Sequence, residues 1–444
     1  MSFIVDKQTL EDLNLLGKYK SNSIYHAFDK TTTRGGEQVM EEMFRHPLTD
    51  AGEINRRSSI FQSFMEKPCD FPFTPAQIDS VEYYMSTPAY ANRGVNMLRM
   101  FHRKAMIYIA ANRMYELLVE GLANMVELFM VLRDFCNELK ADHPAYVPVC
   151  EEVEQILSSP AFAWMKQARG QKFFSFWQLE RYHYLLHVEG NAQLERLFRI
   201  IYELDVYIAV AKVANERRFT CAHAETAKDE SSHRINLVQV FHPSVRGAKA
   251  NSVCIDSEKN VLFLTGANMA GKSTFMKSFG VAVYLAHMGF PVPAERMEFT
   301  VRDGLYTSIN VSDNMSKGYS HFYAEVKRVK FIAEEVATHK NLVVIFDELF
   351  KGTNVKDAYD ATVAVVKAFS GHHNCAYIIS THILEAGQTL MKECDNFKYV
   401  YFPTIMDGSV PRYTYQLTEG ITGDRHGMMI IRNEKIIDII RGNK

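Results

Sequence analysis

Residues 261–274 read VLFLTGANMAGKST, an apolar run leading into the spacing G-x-x-x-x-G-K-[ST]. Few local patterns constrain a fold more. Val261–Thr265 has to be a buried strand that delivers the chain into a tight turn. The glycines of that turn let backbone N–H groups wrap a phosphate, and a helix has to leave it with its positive dipole end on the same anion. The stretch that follows, TFMKSFGVAVYLAHM, has helical spacing, so the context is strand, loop and helix rather than a chance match on a turn. On this reading Gly266, Ala267, Asn268, Met269, Ala270, Gly271, Lys272, Ser273 and Thr274 form a nucleotide cradle. Lys272 reaches the β- and γ-phosphates of ATP, and the Ser273 hydroxyl is a ligand of Mg2+.

Two further apolar runs end in chemistry-bearing residues. Val343–Phe346 leads into Asp347 and Glu348, about 75 residues beyond the phosphate loop. An acid at a strand end is often only a solvated terminus. After a phosphate loop, Asp347 reads as the Mg2+-holding carboxylate and Glu348 as the base that polarises the attacking water. Ile378-Ile379-Ser380-Thr381-His382 repeats the pattern. A lone histidine in such a place is readily structural; beside the first two motifs, His382 reads as a sensor of the γ-phosphate at the end of a neighbouring strand.

The rest of the chain falls into two textures. Residues 95–135 and 175–216 carry apolar residues at three- and four-residue spacing, with Gly190 and Asn191 marking a break. Their methionines and aromatics read as helix-packing core. Residues 219–234 are polar and turn-rich and mark a boundary. Beyond them, short β-branched runs (INLVQV, NVLFLTG, NLVVIFD, CAYIIS, KYVYF) alternate with helical stretches, the pattern of an α/β layer with a largely parallel sheet. The expected division is therefore residues 1–218, mainly helical, and residues 219–444, an α/β P-loop domain. At 444 residues and 47% hydrophobic composition there is ample material for two cores.

Seven scattered cysteines without a Cys-x-x-Cys argue against a zinc site or disulfide framework and suit a reducing cytoplasm. The N-terminus lacks the basic and apolar regions of a signal peptide, and no apolar run of about 18 residues suggests a membrane span. The net charge of -2 neither requires nor excludes a nucleic-acid partner. Basic residues cluster mildly at 93–104 and at 165–182, and the second cluster mixes them with aromatics, as single-strand binders do. The competing reading is a solvated helix face with core aromatics.

Taken together the motifs resemble the MutS proteins of DNA mismatch repair. TGANMAGKST at 265–274 is the most specific match, because Asn-Met inside the phosphate loop is distinctive of that family. DELFKGTN at 347–354 is similar to its Walker B and D-loop, ISTH at 379–382 to its switch-histidine strand, and His242-Pro243 to the start of its ATPase domain. SDNMSKGYSHFYAE at 312–325 resembles the segment carrying the signature serine, here Ser320. VDKQTLEDLNLL at 5–16, residues 44–64 and ELDVYIAVAKVA at 203–214 resemble segments of the helical lever.

The resemblance implies a helical lever or core domain followed by an ABC-type P-loop ATPase. In such an ATPase two subunits sandwich two nucleotides, and Ser320 of one subunit completes the site at Lys272 of the other. It implies ATP and Mg2+ as ligands, a homodimer, and duplex or branched DNA as partner. A ribosome or another RNA-containing target is the alternative. The similarity begins at the lever, so mismatch recognition is not expected of this chain. Phe350 stands where the family usually has glycine and Lys351 where it has arginine, while Ala267 and Ala270 replace other small residues. None of these changes removes a catalytic group.

Overall fold

The computed structural model describes residues 3–16, 23–86, 93–110, 114–309, 321–407, 410–421 and 439–440. They form two compact units. One comprises residues 29–43 and 59–213, the other residues 1–28, 44–58 and 214–444.

The first unit is helical. Along the helix Met114–Asp142, Leu118, Leu122, Met125, Phe129, Leu132, Cys136 and Leu139 are all buried. Their alternating spacing of four and three places them on one stripe. The helix Asn191–Arg217 repeats the device with Leu194, Leu197, Ile201 and Leu204. The helix Phe176–Tyr184 opens on a capping box: Gln178 N–H donates to Ser175 Oγ at 3.3 Å and Ser175 N–H to Gln178 Oε1 at 3.0 Å. It runs into a π-helical turn, Leu185–Glu189, that ends at Gly190, so the expected break at Gly190–Asn191 is present. The buried Asp205 carboxylate accepts from Thr32 N–H, Thr33 N–H and Thr33 Oγ–H at 2.8–2.9 Å. These bonds anchor the chain just ahead of the helix Arg34–Arg45.

The second unit is built on a seven-stranded sheet. With strands numbered along the chain, its spatial order is β1 (Ile4–Val5), β7 (Gly304–Ser308), β8 (Leu342–Asp347), β9 (Ala376–Ser380), β5 (Val261–Gly266), β10 (Phe397–Phe402) and β13 (Thr418–Glu419). All neighbours are parallel except the last pair. Strands β5, β8 and β9 are apolar along nearly their whole length and buried on both faces, as parallel strands covered by helices must be. A second sheet holds β2 (His223–Glu225), β6 (Arg296–Thr300), β3 (Arg234–Val240) and β4 (Asn251–Asp256) in that order, and β11 (Thr404–Asp407) pairs with β12 (Val410–Tyr413) as a hairpin.

The compact units do not follow a division at residue 218. The first 28 residues and residues 44–58 belong with the α/β unit. The reason is local pairing. β1 adds to the sheet beside β7, where the Ile4 carbonyl approaches so closely that a Cβ on Gly304 would lie 2.6 Å from it. Asn55 exchanges two hydrogen bonds with the backbone of Ala224, and Arg57 donates to the Met288 carbonyl at 2.8 Å. The polar segment 219–234 is likewise more than a linker, because β2 lies within it and pairs with β6. Among the described residues, no helix is long and apolar enough to cross a membrane.

Candidate functional site

Side chains at the carboxyl ends of β5, β8 and β9 converge, the edge of a parallel sheet where ligands bind. β9 lies between β8 and β5, with Ser380 opposite Asp347 on one side and Leu264 on the other. That strand order decides the site. Ser273 Oγ–H donates to Asp347 Oδ2 at 2.6 Å, and Ser380 Oγ–H donates to Asp347 Oδ1 at 2.5 Å. One carboxylate is thereby fixed from the phosphate loop and from the adjacent strand. Glu348 N–H reaches the Ser380 carbonyl and hydroxyl, each at 3.2 Å. Glu348 takes a left-handed backbone conformation, φ 56°, which turns its side chain out of the strand pattern.

Glu348 Oε1 accepts from His382 Nε2–H at 2.5 Å. The acceptor is a carboxylate, so Nε2 carries the proton. This bond, opposed by partial burial and aided by the charges of His382, Lys272 and Lys351, holds the Glu348 carboxyl below its ordinary value.

The loop between β5 and the helix Lys272–His287 bends through three positive φ angles: Gly266 at 143°, Met269 at 69° and Gly271 at 106°. The Gly266 and Gly271 conformations are ones that L side chains rarely adopt. Lys272 is buried, and its ammonium donates to the carbonyls of Gly266 at 2.8 Å and Ala267 at 3.1 Å. Burial pulls its pKa down, against the raising charges of Glu348 and Asp347. The first N–H groups of the following helix have no intrahelical acceptor, which suits an anion.

A cavity of about 550 Å³ opens over this loop, within the roughly 300–1,000 Å³ range of small-molecule sites. Lys272, Ser273, Thr274 and Glu348 line it on one side; His242, Asn251 and Tyr415 line it further along. Asn251 ties the Tyr415 segment in place, donating to the Tyr415 carbonyl at 3.0 Å and accepting from Leu417 N–H at 2.7 Å. Burial, reinforced by the Lys277 charge, lowers the His242 pKa and favours its neutral form. The donor set is an ammonium, a helix start, a hydroxyl and a carboxylate. Such groups suit a polyphosphate with a divalent cation, and the aromatic side chains of His242 and Tyr415 line the same cavity.

Of the residues singled out from sequence, the structure brings Lys272, Ser273, Asp347, Glu348 and His382 together. Gly266, Ala267, Asn268, Met269, Ala270, Gly271 and Thr274 form the loop around them. Ser320 lies outside the described residues. Sequence reasoning gave no role to Ser380, although it sits in the quoted ISTH strand, and none to Asn251 or Tyr415, for which no motif spacing exists. Ser380 had a readable signal: a hydroxyl two residues before the histidine at a strand end.

Comparison with known proteins identifies the family. The family model described as MutS domain III matches residues 8–211, and that of MutS domain V matches residues 262–440. Similar relatives are proteins named DNA mismatch repair protein MutS. That of Leuconostoc mesenteroides is 30% identical over 251 residues, 55% of this chain and 28% of the relative. That of Leuconostoc citreum is 32% identical over 206 residues, 45% and 23%, and that of Thermus caldophilus 34% over 200 residues, 44% and 23%. The alignments thus span about a quarter of these relatives' own length.

Proposed function

Because the chain belongs to the MutS family, matching its domain III and then its domain V, we propose that it hydrolyses ATP at the cavity over Lys272 and uses nucleotide binding to control a DNA-binding dimer. The observation that carries the reading is the shared carboxylate of Asp347. It is held by Ser273 of the phosphate loop and by Ser380 of the adjacent strand, with Glu348 and His382 paired beside it.

Asp347 and Ser273 would hold Mg2+, which supplies charge neutralisation at the phosphate oxygens. Lys272 and the helix start bind the β- and γ-phosphates and stabilise charge that grows in a loose transition state. Glu348, kept ionised by His382, accepts a proton from water as the water oxygen bonds to the γ-phosphorus and the bond to the bridging oxygen breaks. His382 orients that carboxylate. Ser320, at the end of the segment preceding the helix His321–Val336, would complete the site of a second copy.

The test uses Glu348→Gln. Turnover is expected to fall by about 10²–10⁴, the usual worth of a general base, while Mg-ATP binding persists and the sedimenting mass doubles from 50.9 kDa. The trapped protein, offered matched duplex, mismatched duplex, a four-way junction and structured RNA, is expected to hold the duplex or junction with no preference for the mismatch. Wild-type turnover in this variant would refute the assigned base. Binding of structured RNA alone would move the function to an RNA-containing target.

A further inference from the structure

The basic and aromatic stretches flagged at 93–104 and 165–182 meet in the helical unit, and their aromatics are not all core. The helix Arg93–Ala110 packs beside Phe176–Tyr184: the Phe101 ring meets Phe176 edge-on at 6.3 Å, and Lys104 Nζ lies 5.7 Å from the Phe176 ring centre. Between them runs a groove of about 840 Å³ lined by Met97, Leu98, Phe101, Lys104, Phe176 and Trp177. Leu98 is 70% exposed, Trp177 66%, Phe101 63%, and nearby Phe173 87%. An apolar patch of this kind on a folded surface marks an interaction site more often than chance.

Charge identifies the occupant. Residues 93–110 contain four Lys or Arg and no Asp or Glu, and residues 165–177 contain three and none, in a chain whose overall charge is -2. Arg169 is engaged by Asp134 and Glu127, and Lys104 lies over the Phe176 ring. A second copy of this face would set like charge against like, which disfavours self-pairing. Interleaved aromatics and cations are what an unpaired nucleic-acid strand requires: rings on which bases stack, and cations for the phosphates between them.

We propose that this groove binds single-stranded nucleic acid, stacking unpaired bases on Trp177 and Phe101 with Lys104 at the phosphates. The site is separate from the nucleotide cavity and adds to a duplex-binding role. It rests on the functional reading above only in taking nucleic acid as the partner.

The chain has two tryptophans, which supply the probe. Trp164 stacks on Tyr182 at 3.6 Å and donates to the Ala161 carbonyl, whereas Trp177 stands in the groove. Titration of the full chain with oligo(dT), without ATP, is expected to quench emission, and Trp177→Ala is expected to abolish the quenching. By fluorescence anisotropy of labelled oligo(dT), Trp177→Ala and Phe101→Ala each weaken binding about tenfold. Lys104→Ala reduces the slope of log affinity against log salt by about 0.7. Both aromatics are surface groups, so an unchanged circular-dichroism melt and unchanged ATP turnover serve as folding controls. Affinity in the doubly substituted protein within about twofold of wild type overturns the proposal, as does absent quenching at saturation. Self-association of the wild-type protein that is lost in Trp177→Ala, with no oligo(dT) binding, also overturns it in favour of a second copy. Since no nucleotide is present, failure here leaves the ATPase reading standing, and failed turnover with intact strand binding leaves this one.

Discussion

The 2.5 Å bond between His382 Nε2 and Glu348 Oε1 sets the charge of the group assigned as base. Removing the donor raises the carboxyl pKa, because the ionised form loses a partner and the neutral form loses nothing. In 13C spectra of glutamate-labelled protein, the Glu348 carboxyl is expected to titrate below its ordinary 4.5, and His382→Ala should move the midpoint up toward that value and lower kcat. The sign for stability follows. A depressed carboxyl contributes stability above its unfolded value and loses it as pH falls through the folded one. An unmoved midpoint would show that the pair does not govern this carboxylate. At this scale residue types and spacings made most of the site readable: Lys272, Ser273, Asp347, Glu348 and His382 all meet. Ser380 was missed as a participant because its part depends on β9 lying between β8 and β5, and strand order is not written in any local pattern. Phe350 shows a different gap. It occupies φ 60°, where glycine costs nothing, and it is buried with its ring 6.2 Å from Phe322. Burying a phenylalanine is worth about 1.5–3 kcal/mol, comparable to the roughly 1–3 kcal/mol of a strained backbone, so packing offsets a conformation that sequence alone would assign to glycine.

Among elements, the short strand β1 and the turn of helix after it owe their place to a buried guanidinium. Arg328, on the helix His321–Val336, donates to Asp6 through two nitrogens, to the Thr307 carbonyl through Nε at 3.0 Å, and to Thr9 Oγ at 3.3 Å. Thr307, at the end of β7, in turn donates its hydroxyl to Asp12 at 2.7 Å and its N–H to Thr9 Oγ at 3.0 Å. Burial alone would raise the Asp6 carboxyl, but the hydrogen bonds from Arg328 and Thr9 bring it below its ordinary value. Arg328→Ala leaves the half-buried Asp6 carboxylate without its guanidinium partner. Breaking a buried pair costs about 3–5 kcal/mol, and Asp6 keeps some access to water, so a loss near the lower end is expected in urea unfolding at pH 7 with an unchanged m-value. The difference between wild type and variant should shrink as pH falls below the ordinary aspartate value of 3.8 and through the lowered folded one. Equal midpoints at pH 7 would mean the network is solvated. Helices and the main parallel strands were legible from period and β-branched runs, because burial on one stripe or both faces imposes those patterns. β1, with two residues, and β2, inside a polar segment, carry no such pattern. They are strands because partners elsewhere in the chain present an edge.

At the scale of the whole molecule, texture divides the chain near residue 218, whereas packing assigns residues 1–28 and 44–58 to the α/β unit. Amphipathic spacing reports that a segment is helical; it says nothing about which core receives its apolar face. Leu13, Phe28 and Phe44 are buried, and their contacts are with the α/β unit. Phe28 lies 5.7 Å from both Phe219 and Phe290, Phe44 lies 5.5 Å from Phe290, and Leu13 packs against Gly280. Each such side chain contributes about 1.5–3 kcal/mol, and the Arg328 network adds about 3 kcal/mol. Their sum, on the order of 10 kcal/mol, rivals the roughly 5–15 kcal/mol that holds a whole domain folded. A fragment of residues 219–444 keeps every nucleotide-site residue discussed above, yet it exposes the faces that these segments cover and frees the edge of β7. It is therefore expected to lack a cooperative thermal transition in circular dichroism and to hydrolyse no ATP, while the full chain does the reverse on both counts. A fragment that melts cooperatively at the temperature of the full chain would show that the N-terminal segments are ornaments on a self-sufficient domain, and that the boundary read from texture is the one that governs folding.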